Sequence, residues 1–159
     1  MKKMSGLTLI ELMITLIVAA IVGFVAFPNF TRMLEDNRVV TQTNDMVTAM
    51  NYARSEAVRR GDSITVSAVG GGLEDGLCVH LSGGNCDDPL RIYPAPDRVS
   101  VISDPLPVTF DGRGARLEPD GQTLITLAPA GCRSGAVDRA RSITVGRTGR
   151  VSIGMEACP

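Results

Sequence analysis

The sequence contains no tryptophan and a single histidine, and only 4% of its residues are aromatic. The composition therefore argues against a histidine-rich metal site and leaves a single imidazole for catalysis. Lysine occurs only as Lys2 and Lys3, so every later cation is an arginine. The formal net charge of −1 excludes a globally basic nucleic-acid-binding protein, although a local basic patch stays open.

Charge is also missing from a long run near the start of the chain. Two lysines precede Gly6, Glu11 follows in an apolar stretch, and no charged residue occurs from Leu12 to Phe27. Counted from Leu7, this segment has about 21 residues, or roughly 30 Å of helix, which is close to the hydrocarbon thickness of a membrane. The sequence predicts a membrane-competent helix in which Glu11 is costly unless another group pairs with it.

The position of Gly6 distinguishes this segment from a secretory signal, which is cut after its apolar region and then lost. Gly6 lies before the apolar region, and no comparable small-residue site follows that region. Cleavage after Gly6 would remove both lysines and leave Leu7 as the new N-terminus. Glu11 would then be the fifth residue, about 6 Å along the helix axis from that terminus.

The run Gly6-Leu7-Thr8-Leu9-Ile10-Glu11, with a proline at position 28, resembles the N-terminus of type IV pilins and pseudopilins. The resemblance implies that prepilin peptidase removes a leader at 1–6, that Leu7 is N-methylated and that Glu11 pairs with the N-terminus of a neighbouring subunit. Pro28 stands where those proteins carry a helix-bending proline. Most members have phenylalanine at the position of Leu7. A plain signal-anchor helix is the alternative, and it leaves Glu11 unexplained.

A helical period continues beyond Pro28, where a kink is expected. Apolar positions then recur at intervals of three and four, which predicts a single stripe along a helix. The stripe consists of Val39, Val40, Thr43, Met46, Val47, Met50, Ala53, Ala57 and Val58. Gly61 is the expected C-cap. The helix is predicted to run from Leu7 to Arg60, with a transmembrane or fibre-core half at 7–30 and an amphipathic half at 31–61.

Beyond Gly61 the pattern changes to short alternating segments separated by turns rich in glycine and proline, which is typical of β-strands. These segments lie at 63–69, 77–81, 90–93, 99–102, 108–110, 123–127, 142–145 and 150–153. The last two flank a predicted hairpin turn at 146–149. A long helix followed by strands predicts an α+β fold, with an antiparallel sheet in a β-rich domain at 62–159 packed on the amphipathic half of the helix.

Two further regions resemble the GspH/FimT/FimU group of minor pilins and pseudopilins. One is Tyr52–Gly61, which leads into a strand, and the other is the pair Phe110–Gly114 and Ile143–Val151. The resemblance implies a pilin fold and a minor pilin of a type IV pilus, with no cofactor. No nucleophile–base spacing or phosphate-binding loop stands out, so no enzyme is expected.

The same resemblance implies partners and a location. The partners are other pilins and minor pilins, contacted through the N-terminal helix, and prepilin peptidase. The location is the bacterial inner membrane as a single-pass protein with a periplasmic domain, and then the pilus or pseudopilus fibre. A GspH-type pseudopilin of a type II secretion system is an alternative that the sequence does not separate from a minor pilin.

The four cysteines would form two disulfides in a domain outside the cytoplasm. They are Cys78, Cys86, Cys132 and Cys158, and they allow three connectivities. Pairing in local order would join Cys78 with Cys86 and Cys132 with Cys158. A four-cysteine zinc site is the rival, but no C-x-x-C spacing occurs.

The C-terminal segment concentrates positive charge. Its arginines are Arg133, Arg139, Arg141, Arg147 and Arg150. A stripe of these side chains would bind phosphate groups with a strong salt dependence. Few aromatic rings are available to stack on bases, so any contact would be to the DNA backbone without sequence preference. The FimT branch carries an arginine-bearing C-terminal hairpin implicated in DNA uptake, so a DNA-binding minor pilin is a second hypothesis beside solvated surface or intersubunit ion pairs.

Overall fold

The computed structural model describes residues 8–103, 106–118 and 123–158, apart from the side chains of Val25, Pro28 and Glu118. The predicted leader at 1–6 and its cleavage and methylation positions, Gly6 and Leu7, lie outside the described residues. The chain divides into two units, residues 1–34 and residues 35–159.

The first unit consists, where described, of the start of helix α1, which spans Leu9–Arg60. All described side chains between Thr8 and Phe30 are exposed. The helix is long and apolar enough to cross a membrane. The backbone remains helical through position 28. An apolar helix surface that the described part of its own chain leaves exposed requires cover from lipid or from other subunits.

The end of α1 follows the prediction made from Gly61. Gly61 has a φ of 68°, in the left-handed region that glycine adopts without strain. Its N–H donates to the carbonyl of Ala57 at 2.9 Å. Gly61 is therefore the residue that stops the helix, and the predicted C-cap is confirmed.

The described part of the second unit contains nine strands after α1. They are β1 (Ile64–Ala68), β2 (Leu77–Leu81), β3 (Arg91–Tyr93), β4 (Val99–Ser103), β5 (Val108–Phe110), β6 (Arg116–Glu118), β7 (Thr123–Pro129), β8 (Ala140–Val145) and β9 (Val151–Glu156). A short 3₁₀ helix, Leu73–Asp75, precedes β2. The strands form two antiparallel sheets, with the orders β3-β2-β1-β5-β6 and β4-β7-β8-β9.

The predicted α+β fold is confirmed, but the predicted single sheet is in fact two. After β3 the chain leaves the first sheet, because β4 pairs with β7 and the next strand, β5, returns to pair with β1. Alternation along a strand shows which side chains share a face, but not which strand lies beside it. β6 was missed because it has only three residues and a charged residue at each end.

One hydrophobic core joins the second part of α1 to both sheets. From α1 it takes Val39, Thr43, Met46, Ala49, Met50, Ala53 and Ala57. From the sheets its largest members are Ile64, Val66, Val79, Val108, Phe110, Ile125, Leu127, Ile143 and Val145.

Most of the predicted stripe on α1 is confirmed. The prediction is wrong for Val40 and Val58, whose side chains are 38% and 54% exposed. Each lies one residue beyond a buried position and is therefore rotated by about 100° around the helix. The stripe also omitted Ala49, which is fully buried.

Two disulfides occur, and both join cysteines in local order. Cys78 on β2 is bonded to Cys86, and Cys132 is bonded to Cys158. Around the second bond, the N–H of Gly135 donates to the carbonyl of Cys158 at 2.9 Å. The C-terminal residues are therefore fixed to the loop before β8. Among the described residues, no cluster of three histidine, cysteine or acidic side chains could hold a metal ion.

Candidate assembly site and arginine clusters

The helix start is fixed by a residue whose role the sequence analysis missed. Thr8 precedes α1, and its Oγ1 accepts a hydrogen bond from the N–H of Glu11 at 3.3 Å. Its carbonyl accepts from the N–H of Leu12 at 3.2 Å. Threonine followed three residues later by glutamate is the sequence signal of a helix N-cap, and Thr8 and Glu11 match it. The turn that carries Glu11 is therefore held helical from its first residue.

The carboxylate of Glu11 is exposed and forms no hydrogen bond or ion pair with any residue in the described part of the chain. Its neighbours Leu9, Ile10 and Leu12 are also exposed, the first of them by 80%. In lipid or in the interior of a fibre, a charge in this setting needs a partner from another molecule. The structure thus presents an acceptor near the start of an apolar helix.

The apolar surface extends well beyond Glu11. Phe24, Phe27 and Phe30 are 85%, 70% and 58% exposed. They are three of the four phenylalanines in the chain. Large rings of this kind contribute strongly to burial when another surface covers them. The side chain of Pro28, predicted to bend the helix here, lies outside the part of the structure described.

Arg139, one of the five predicted DNA-binding arginines, forms ion pairs with carboxylates of its own domain. Its Nε donates to Asp36 Oδ1 at 2.9 Å and its Nη2 donates to Glu35 Oε2 at 3.0 Å. The side chain is only 24% exposed. Because both partners belong to α1, this arginine fastens the start of β8 to the helix.

The other members of the predicted set are dispersed. Arg141 lies on β8 opposite Met155 of β9 and is half-buried. Arg133 is exposed in the loop that the Cys132–Cys158 disulfide closes. Arg147 and Arg150 are exposed at the tip of the β8–β9 hairpin.

Contacts with α1 locate this tip. Arg54 of α1 donates from Nε to the carbonyl of Gly114 at 3.0 Å and from Nη2 to the carbonyl of Thr148 at 3.2 Å. The N–H of Arg116 donates to the carbonyl of Arg147 at 3.0 Å. The tip therefore adjoins the loop between β5 and β6, which carries another exposed arginine, Arg113.

The five arginines consequently do not form one stripe. The tip lies beside residue 54 of α1, whereas Arg139 is bound at residues 35 and 36. The helix rises about 27 Å between residues 36 and 54. Sequence proximity suggested one group, but the exposed pair at the tip has Arg113 as its neighbour instead. This neighbour could be anticipated only from tertiary contacts between residues that are distant in the sequence, such as those of Arg54 with Gly114 and Thr148.

Two further arginines near the same end of the domain form ion pairs with the carboxylate of Glu56. Glu56 accepts from Arg59 Nε and Nη2 at 2.9 and 2.6 Å, and from Arg60 Nε at 2.8 Å. The hydrogen bonds from Arg59 and then Arg60 lower the pKa of Glu56 from 4.5 to about 2. Glu56 thus remains ionised and compensates part of the positive charge in the last turn of α1.

Comparisons with known proteins agree with these features. The family model described as type II transport protein GspH matches residues 42–149, and the prokaryotic N-terminal methylation motif matches residues 1–27. The chain belongs to the GspH family. The matched region contains the part of α1 from Gln42 onwards and both loops that Arg54 joins, and it ends at Gly149.

Two solved structures resemble this GspH-family chain. Both are crystal structures of the type IV minor pilin FimU from Pseudomonas aeruginosa, in space groups P21 and P65. The first has a TM-score of 0.62 and covers 77% of this chain and 92% of FimU. The second has a TM-score of 0.55 and covers 71% and 91%. Sequence identity is 22% for each, so the likeness shows a shared pilin fold. No curated protein sequence matches the chain.

Family membership supports several features of this GspH-family chain. The methylation motif and the apolar helix indicate membrane anchoring, processing by prepilin peptidase and assembly with other pilins. The family consists of pilins and pseudopilins, which are structural subunits and are not known as enzymes.

Proposed function

We propose that this protein is a minor pilin of a type IV pilus, cleaved after Gly6, N-methylated at Leu7, and incorporated into the fibre or its priming complex through α1. One observation carries the proposal. The described start of α1 is apolar and exposed throughout, and its carboxylate, Glu11, has no partner among the described residues. The domain faces the periplasm until the subunit leaves the inner membrane.

The mechanism is structural and follows from the cost of an unpaired charge. Cleavage after Gly6 frees the amine of Leu7, and Glu11 of one subunit pairs with that amine of a neighbouring subunit. In a low-dielectric fibre core, a helix packed out of register leaves both charges unpaired, which is strongly unfavourable. The pair therefore selects one axial position for each entering subunit, while burial of the apolar helix provides most of the favourable free energy.

Thr8 has a supporting role in this mechanism. The hydrogen bond from the N–H of Glu11 to Thr8 Oγ1 keeps the first turn helical. Glu11 is then held about 6 Å along the axis from the new N-terminus. A frayed first turn would let both charged groups move, and the pairing would lose its geometric selectivity.

A GspH-type pseudopilin of a type II secretion system is the alternative within the same family. The description of the matching family model favours the secretion system, whereas the similarity to FimU favours the pilus. Deletion of the gene, followed by quantification of sheared surface fibres and of exported proteins, separates the two. We expect fibres to fall at least about tenfold, a change of about 1.4 kcal/mol in assembly free energy, with export unchanged. Lost export with normal fibres would overturn the pilus assignment.

A DNA-binding minor pilin is the second candidate, favoured by the exposed positions of Arg147 and Arg150 beside the loop that carries Arg113. Electrophoretic mobility shifts of the full-length protein in detergent test it with random-sequence duplex DNA at about 50 and 200 mM salt. We expect the double variant R147Q/R150Q to weaken binding at both salt concentrations. R133Q, in the disulfide-closed loop, is the matched control and should bind as the wild type does. Absence of a shift at the lower salt concentration would remove this candidate.

A further inference from the structure

One face of the first sheet carries polar side chains and borders an open cavity of about 490 Å³. Thr65 and Ser67 on β1, His80 on β2 and Thr109 on β5 line this cavity. His80, the only histidine of the chain, is 5% exposed. A buried imidazole needs hydrogen-bond partners, and those of His80 define an arrangement with chemical consequences.

His80 contacts a hydroxyl through one ring nitrogen and a carbonyl through the other. Ser67 Oγ lies 2.9 Å from Nε2, and Nδ1 lies 2.8 Å from the carbonyl oxygen of Leu81. A carbonyl only accepts hydrogen bonds, so Nδ1 must carry a proton. In the neutral ring Nε2 is then an acceptor, and the Ser67 hydroxyl donates to it. A serine, a base and a group that orients the base are the components of an activated nucleophile.

The neighbouring hydroxyls do not compete for this base. Thr65 and Thr109 bond to each other, with their Oγ1 atoms 3.0 Å apart. The strand register places His80 opposite Thr65 and places Ser67 opposite Cys78. Ser67 therefore approaches His80 diagonally across two paired strands. Because the two residues are thirteen apart on different strands, their sequence positions gave no sign of this contact.

We propose that Ser67 is a nucleophile activated by His80, with the Leu81 carbonyl orienting the imidazole, and that it hydrolyses carboxylic esters with a short acyl group. Ser67 Oγ attacks the acyl carbon while Nε2 takes the hydroxyl proton. The alcohol leaves with that proton, and an acyl-serine remains. Water then attacks the acyl carbon, gives a proton to Nε2, and releases the acid as Ser67 recovers its proton. This activity is independent of the assembly function.

The lining of the cavity indicates the substrate class. It consists mainly of hydroxyl, amide and glycine groups, with Ala68, Pro107 and the Cys86 side chain as its apolar contribution. A long acyl chain would find little apolar surface there, whereas a short acyl group on a polar alcohol would fit. Gly83 also lines the cavity, and its N–H donates to no other described residue. It is one candidate backbone donor for the oxyanion.

A fluorophosphonate probe tests the nucleophile directly, since Ser67 Oγ would displace fluoride from its phosphorus. The full-length protein in detergent is incubated with the probe, and the labelled residue is identified by mass spectrometry. We expect one label per chain at Ser67, none in S67A, and labelling about 100-fold slower in H80Q because the base is lost. S100A removes an exposed serine hydroxyl of β4, outside the cavity, and should label as the wild type does.

Hydrolysis provides the second readout and fixes the substrate class. The wild type should release p-nitrophenol from the acetate ester faster than from the octanoate ester, and S67A should release it only at the rate of buffer. S67A should still assemble normally, because Ser67 has no part in the helix. Circular dichroism checks that H80Q is folded. Failure to label Ser67 above the S67A background, or equal labelling of wild type and folded H80Q, would overturn the proposal and leave a polar pair that satisfies a buried histidine.

Discussion

Glu56, in the last turns of α1, links the stability of the domain to pH. Its pKa in the folded protein is about 2, below the ordinary value of 4.5, because Arg59 and Arg60 donate hydrogen bonds to the carboxylate. The unfolded chain therefore takes up the proton first as pH falls. The stabilisation from Glu56 is complete above about pH 4.5 and is lost as the pH approaches 2.

The variant E56Q isolates this contribution. We expect it to unfold at a lower temperature than the wild type at pH 7, and we expect the difference to shrink as the pH falls from about 4.5 towards 2, where the folded protein takes up a proton on Glu56. Thermal unfolding followed by circular dichroism at pH 7, 4 and 2 measures the difference. D88N, which changes an exposed carboxylate, is the control. A difference between E56Q and wild type that stays constant with pH would contradict the assignment.

In contrast to the carboxylate of Glu56, the hydroxyl of Tyr93 is a polar group that contributes little to stability. Its side chain is 6% exposed, and its hydroxyl has no hydrogen-bond partner among the described residues. Burial raises the pKa of this phenol. The ring itself is well placed, since Arg91 Cζ lies 5.1 Å from its centroid and 5.4 Å from that of Tyr52. The ring, rather than the hydroxyl, is the stabilising part of the residue.

Y93F is therefore expected to keep the stacking with Arg91 and to raise the free energy of unfolding by about 1 kcal/mol, because an unpaired buried hydroxyl is removed. Urea denaturation measures the change. Y52F, which removes the hydroxyl of the other ring stacked on Arg91, should have an effect close to zero. A loss of stability in Y93F would show that its hydroxyl makes a favourable hydrogen bond.

At the scale of secondary-structure elements, the β8–β9 hairpin depends on one close backbone approach. Gly149 has a φ of 73°, and a Cβ at this position would collide with the carbonyl oxygen of Gly114 and lie 3.0 Å from Arg54 Nε. A Cβ at Gly146, in the same turn, would meet only the carbonyl of Arg150 at 3.7 Å. The tip therefore has no room for a side chain at Gly149, whereas it can accommodate a methyl group at Gly146.

We expect G149A to lower the free energy of unfolding by about 2 kcal/mol or more, through strain and the displaced Gly114 loop. G146A, the matched control, should cost less than about 1 kcal/mol. Chemical denaturation of both variants gives the comparison. Equal effects in the two variants would show that the approach of Gly149 to Gly114 does not fix the hairpin.

The elements differ in how far the sequence predicts them. The course of α1, its buried stripe and its stop at Gly61 were predictable, because helical period and capping are local properties of the chain. The division into two sheets was not, since β4 and β5 are both short strands that follow each other in the sequence but pair with strands of different sheets. The contact between Arg139 and Asp36 joins residues 103 positions apart, and no local pattern indicates it.

The candidate sites follow the same rule. Glu11 stood out in the sequence because it is the single charge in an apolar run, and that contrast is local. The arginines were identified by residue type, but their exposure depends on the tertiary fold. Arg139 is bound by two carboxylates, while Arg147 and Arg150 stay exposed. The contact of Ser67 with His80 likewise depends on strand register.

For the whole molecule, the distribution of burial defines what the protein requires from its surroundings. All described core residues belong to the second unit, whereas the described side chains from Thr8 to Phe30 are exposed. The second unit therefore has its own core, while the apolar helix depends on lipid before assembly and on neighbouring subunits afterwards. We propose that Glu11 makes this transfer ordered.

The most direct test compares E11A with wild type in cells, measuring the protein in membranes and in sheared fibres by immunoblotting. D88A, an exposed carboxylate of the domain, is the control and should behave as the wild type does. We expect E11A to insert into membranes at the wild-type level, because the helix becomes more apolar. Its amount in fibres should fall at least about tenfold, since the intersubunit charge pair is lost. Wild-type amounts of E11A in fibres would contradict the role assigned to Glu11.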